Sequence, residues 1–170
     1  AIASPTYSDL LKNSWQGGDS GMAVALVGGR PILKKVVPGS PAYKAGLRVG
    51  YQIVSVNGES FANLKKTVES SGVFKNVIPF YLEKSVENRW YGSLGESVEL
   101  VAKSGAFGTS KHYAFKLRTY EGLMSEQLGN FGTMPMEIET RILEGEVAYI
   151  RFDIWFPGLM VAMRNFVRSL

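Results

Sequence analysis

Two kinds of hydrophobic spacing divide the chain. From Gly21 to Asn57 the apolar residues come in short runs cut by glycine and proline, first over Met22–Val27, then over 32–37, then at Ile53, Val54 and Val56. Short β-branched runs between turn residues predict strands. Gly28-Gly29 makes a tight turn between the first two runs, and Pro38-Gly39 stops the second. Ser40-Pro41 then opens a single helical turn that Gly46 closes. Proline at a first helical position lacks only a donor that has no partner there, and glycine accepts the positive φ of a C-terminal cap. Gly50 turns the chain into the third strand, and Asn57-Gly58 is the strongest two-residue turn in the sequence.

The period then changes. Ser60 can cap a helix with Phe61, Leu64 and Val68 inward, fading at Ser70-Ser71-Gly72. A second helix is predicted from about Pro79 to Tyr91, with Ile78, Leu82, Val86 and Trp90 inward and Glu83, Glu87 and Arg89 off that face. Alternation returns over residues 97–102 and 111–118, where Tyr113, Phe115 and Leu117 share a face. It is lost over 119–132, with 129–132 reading as a linker. Residues 134–143 are extended, Glu144-Gly145-Glu146 turns, and Val147–Phe152 is a strand. After Pro157-Gly158, the residues Leu159, Ala162, Met163, Phe166, Val167 and Leu170 take helical spacing. At the other end, Ser8 with Leu10-Leu11 predicts a short helical turn that stops at Gly17-Gly18.

Composition narrows the classes. In 170 residues, 45% hydrophobic and 20% charged without single-sign blocks, there is enough apolar surface for a folded core. The net charge of +4 includes the isolated pairs Lys34-Lys35 and Lys65-Lys66, with no interleaved stacking aromatics, which argues against a nucleic-acid partner. Without cysteine there is neither a disulfide framework nor a thiolate metal site. No stretch approaches the roughly 18 apolar residues of a membrane span, and Ala1-Ile2-Ala3 is no signal peptide, so an export signal would lie outside this chain.

Candidate catalytic sets fail on order. Gly18-Asp19-Ser20-Gly21 is similar to the nucleophile signature of chymotrypsin-like proteases, but that arrangement needs a histidine upstream, and the sole histidine is His112. A polar loop is the better reading, with His112 on the solvent side of its strand. No serine is followed three residues later by lysine, and Gly28-Gly29 lacks the Lys-Ser/Thr pair and helix of a phosphate loop. No catalytic residue, metal site or cofactor is expected in the chain.

The run Pro38-Gly39-Ser40-Pro41-Ala42, Ala45-Gly46-Leu47, Gly50, Ile53 and Val56-Asn57-Gly58 resembles a PDZ domain of the bacterial type, with Tyr51 where that family usually has an acidic residue. The resemblance implies an α+β, mostly β fold: a PDZ-like, partly open β-barrel with two or more helices over residues 21–119. It also implies a peptide site. Gly21, Met22 and Ala23 would form the carboxylate-binding loop, Ala23 replacing its second glycine. Val24, Ala25 and Leu26 would pair with an extended protein C-terminus, while Tyr81, Lys84 and Ser85 face the groove from a helix. Either helix could line that groove. The second is favoured, because Gly92-Ser93-Leu94-Gly95-Glu96 directly after it resembles the family's entry into its last strands. A blander alternative is that residues 61–75, longer than the family norm, occlude the groove.

The run Glu146-Val147-Ala148-Tyr149-Ile150-Arg151-Phe152 and the helix after it resemble the start of the protease domain of carboxy-terminal processing (tail-specific) peptidases, family S41. Ser4-Pro5-Thr6-Tyr7 and Leu10-Leu11 resemble the approach to their PDZ domain. The implied division is an approach segment 1–20, a PDZ domain 21–119, a linker and extended segment 120–146, and the first strand and helix of an incomplete peptidase domain 147–170. That family uses a serine nucleophile and a lysine base, both beyond the last residue here, so the chain alone is expected to capture protein C-termini without cleaving them. The resemblance further suggests an exported, periplasmic setting. Self-association through an exposed final helix is a further expectation. The alternative function is a non-enzymatic PDZ-like scaffold or regulatory domain that binds partner C-termini.

Overall fold

The computed structural model describes residues 17–105, 108–125, 133–144, 147–152 and 157–169. The turn expected near Ser8, the linker 129–132, part of the turn at Glu144-Gly145-Glu146 and Leu170 lie outside them. Two compact units emerge, Gly17–Thr119 and Tyr120–Leu170.

The first unit is mixed α+β with an open sheet. Its strands are β1 (Met22–Val27), β2 (Arg30–Val36), β3 (Gln52–Val56), β4 (Glu59–Ser60), β5 (Ser97–Lys103) and β6 (Ser110–Lys116). The order is β1-β2-β3-β5-β6 with β4 on β3, and every pairing is antiparallel. Between β2 and β3 stands α1 (Pro41–Lys44), where the Tyr43 N–H donates to Ser40 Oγ at 3.2 Å. Ser60 caps α2 (Phe61–Ser70) through the Asn63 N–H, and Leu64 and Val68 are its buried residues, at the predicted spacing. A 3₁₀ turn (Lys75–Val77) leads into α3 (Ile78–Glu87).

Here one boundary differs from the spacing. The helix stops at Glu87, not near Tyr91, because the Arg89 and Trp90 N–H groups close onto Val86 and Glu87 carbonyls in tighter turns. Trp90 is still buried with Leu82 and Val86, so the i+4 pattern marked burial past the helix end. The core joins Val24, Leu33, Ile53, Val56, Val98, Leu100 and Leu117 from the sheet to Leu47, Leu64, Val86 and Trp90. Asn57, at φ +47, ties the β3–β4 turn to the rest: its Oδ1 accepts from the Glu99 N–H (2.8 Å) and its Nδ2 donates to the Arg89 carbonyl (2.7 Å).

In the second unit, β7 (Leu123–Met124) pairs β8 (Pro135–Met136), and β9 (Ile138–Leu143) pairs β10 (Val147–Phe152) along its length. The first pair falls partly where no period was visible. A final helix, α4 (Pro157–Arg168), buries Leu159 against Met136, with Met134 and Ile138 beside them. Ala162, Met163 and Phe166 are half-buried, whereas Val167 is exposed despite its spacing. Among the described residues no helix is long and apolar enough to cross a membrane.

Candidate functional site: the edge of β1 beside α3

β1 is the end strand of the sheet. Successive backbone N–H groups of a strand point to opposite sides, so with β2 on one side, alternate donors of β1 face away from the sheet. Left unpaired, such an edge is open to strand addition. On that side lies α3, the second of the two helices.

α3 sits there because Leu82 and Val86 are locked in the core. Glu83 and Glu87 each follow one of these residues, so both carboxylates emerge on the same flank one turn apart. That flank meets the strand edge. The Leu26 N–H donates to Glu83 Oε1 at 2.9 Å, and the Val24 N–H donates to Glu87 Oε1 at 3.4 Å. Lys84 Nζ donates to the other oxygen of Glu87 at 2.8 Å. The Glu87 side chain is 8% exposed and that of Lys84 51%, so the lysine brings an outer charge to a buried carboxylate. Sequence polarity placed Glu87 off the apolar face; in the fold it is buried, because the amide edge of β1 supplies donors that a glutamate can accept.

The approach to β1 is equally fixed. Gly21 has φ +73, its N–H donates to Asp19 Oδ1 at 2.8 Å, and its carbonyl accepts from the Val37 N–H at 2.8 Å. A Cβ there would stand 2.2 Å from the Cβ of buried Ser40, so only glycine fits. The Met22 N–H donates to Ser20 Oγ at a longer 3.3 Å. Ser20 is buried, and this turn contact is the role its hydroxyl plays in the Gly-Asp-Ser-Gly run. Asp19 and Arg118 exchange backbone hydrogen bonds of 2.7 and 3.1 Å, which pins the loop to the chain beyond β6. His112 is exposed on β6.

Gly21 leads into the edge strand, and Met22, Ala23, Val24, Ala25 and Leu26 lie along it, with the pairing to β2 shifting register between Ala23 and Val24. Val24 turns its side chain into the core, while Ala25 and Leu26 are half-buried. On α3, Tyr81 is exposed and packs edge-on against Phe80 at 5.8 Å, Lys84 is engaged with Glu87, and Ser85 is half-buried. The side chains of α3 that bond to the β1 amides are Glu83 and Glu87, which sequence reasoning left out of the site. Their one available mark was their place: acidic residues four apart, each next to a core residue of α3.

Residues 32–70 match the family model of the PDZ domain. That segment runs from β2 through α2 and contains the Pro38 to Gly58 run. No curated protein matches the sequence. Among solved structures, the photosystem II D1 C-terminal processing protease is similar over 99% of this chain and 41% of that one, with a TM-score of 0.50 and 16% identity. Mature CPAF (TM-score 0.43, 11% identity) is covered over 38% of its length by 90% of this chain. A protein described as an S41 protease from Bacteroides fragilis (TM-score 0.32, 17% identity) is covered over 36% by 91%. At 16% identity the likeness to the D1 processing protease is one of fold, and this chain spans 41% of its length.

Proposed function

We propose that the edge of β1 and the flank of α3 form a groove that takes the extended C-terminus of a protein as an added strand. The observation that carries this reading is that the Val24 and Leu26 amides face away from the sheet and are held by side chains, not by another strand. An incoming segment would present its carbonyls to those two amides. Its terminal carboxylate would take the Met22 N–H, whose present bond to Ser20 Oγ is long, with Ala23 next to it. Tyr81, Lys84 and Ser85 would flank the bound side chains from α3.

The PDZ match and the fold shared with a protease that, by its name, processes a protein C-terminus support placing this groove in an S41-type serine peptidase. In that reading residues 21–119 capture substrate, residues 147–170 open the peptidase domain, and the serine and lysine lie outside the chain. Such a peptidase would be exported. Capture raises the local concentration of the substrate at a tethered catalytic site, and micromolar binding, about −8 kcal/mol, is sufficient for that role.

The test is fluorescence anisotropy with apolar-ended peptides, each as free acid and as C-terminal amide. Binding of the acids alone is the expected result. Equal binding of both forms would remove the carboxylate from the mechanism, and binding of neither, by the wild-type chain and by a variant whose Val24 and Leu26 amides are freed of Glu87 and Glu83, would remove the groove.

A further inference from the structure

We infer that Glu83 and Glu87 are an internal cap on the edge of β1, standing where the carbonyls of an added strand would stand, so that the groove is closed at rest and opens when the carboxylates swing away. The inference rests on the peptide-groove reading above and names its regulation.

The geometry matches two for two. A strand added to β1 would accept from the same outward amides, Val24 and Leu26, that the glutamates now occupy. Glutamates one helical turn apart span about 6 Å along α3, close to the roughly 6.8 Å between alternate residues of a strand, so one helix face serves both amides. The two glutamates are not equivalent. Leu26 to Glu83 is the shorter bond, from a half-buried carboxylate. Glu87 is held at its second oxygen by Lys84, and its buried carboxylate depends on that lysine and on the Val24 amide for its polar contacts. Lys84 therefore acts as the latch: half exposed, it can follow Glu87 into solvent when the edge is released. A short bond to a carboxylate is stronger than one to a peptide carbonyl, so at Leu26, held at 2.9 Å, an incoming strand gains less than the bare edge would give it, while the 3.4 Å contact at Val24 is the looser hold. The same contact protects an end strand from pairing with the wrong chain.

The experiment follows amide hydrogen exchange by NMR in the wild-type chain, in Glu83→Ala and in Glu83→Ala/Glu87→Ala. The reference is the Ala25 amide, which faces β2 by strand alternation. A labelled decapeptide ending in three valines with a free carboxylate is then titrated into each protein. The cap predicts that Leu26 exchanges about tenfold faster in the single variant and that Val24 joins it in the double variant, with Ala25 unchanged. It also predicts peptide binding tightened by about tenfold in the double variant. Unchanged exchange at Val24 and Leu26 overturns the cap, as does equal peptide affinity across the three proteins. Faster exchange with no peptide bound by any of them upholds the cap and refutes the peptide reading. Should the double variant fail to fold, Glu83→Ala alone decides, since Glu83 has no part in the pairing of Lys84 with Glu87.

Discussion

Replacing Gly21 by alanine probes the joint on which β1 hangs. Two separate terms contribute. At φ +73 an alanine sits in the left-handed region, a cost of about 1–2 kcal/mol for a residue with a Cβ. The second term is steric: the new methyl would stand 2.2 Å from Ser40 Cβ and 2.6 Å from Ser40 Oγ. Ser40 cannot turn aside freely, being fully buried with its hydroxyl accepting from the Tyr43 N–H at the start of α1. Overpacking of that kind costs about 1–3 kcal/mol, for a total of about 2–5 kcal/mol. Gly29 provides the control, because it has the same φ of +73 and nothing within 4 Å of the place a methyl would take. Gly29→Ala should therefore lose only the backbone term. Urea unfolding of both variants, extrapolated linearly to water, reads the difference directly. Gly21→Ala no more damaging than Gly29→Ala would refute the close approach of Gly21 to Ser40, and with it the way β1 is seated.

Three further outcomes follow from other parts of the chain. Asn57→Ala removes both side-chain bonds to the Glu99 N–H and Arg89 carbonyl and leaves a Cβ-bearing residue at positive φ, so urea unfolding should show a loss of about 2–4 kcal/mol; a loss below about 1 kcal/mol would contradict those bonds. Burial, and secondarily the charge of Tyr51, raises the Tyr113 phenol above its ordinary 10.0, so this group's stabilising contribution is full below about pH 10 and is lost as pH rises through the raised folded value. Thermal midpoints measured against pH should fall more steeply on the alkaline side in the wild type than in Tyr113→Phe; identical slopes would remove Tyr113 as the cause. Finally, β9 and β10 form a two-stranded sheet with Ile142 and Val147 exposed, so their amides should exchange before those of β3 and β5. Equal protection would contradict that order.

How much of the fold and the groove was legible in the residues depended on whether local chemistry or tertiary context decided each feature. Turns at Gly28-Gly29, Gly46, Gly50 and Asn57-Gly58 are set by backbone freedom, and all appear where the residues put them. Ser40 and Ser60 cap their helices for the same local reason. The end of α3 was not legible, since Trp90 keeps the core spacing after the helical hydrogen bonds have stopped. β7 and β8 pair over two residues each, too few to show a period. Glu83 and Glu87 escaped for a different reason. Their partners are backbone amides 57 and 63 residues away, and a glutamate in a helix gives no sign that a strand edge will come to meet it.

The most direct test of peptide capture is an amide-resolved NMR titration of this chain with the valine-ended decapeptide in its free-acid form. Capture at the β1 edge should place the largest shifts on Met22, Val24 and Leu26 and on the Glu83 to Glu87 turn of α3, with the C-terminal amide of the same peptide leaving them still. Saturable binding whose shifts fall elsewhere in the chain, with β1 and α3 unmoved, would contradict it.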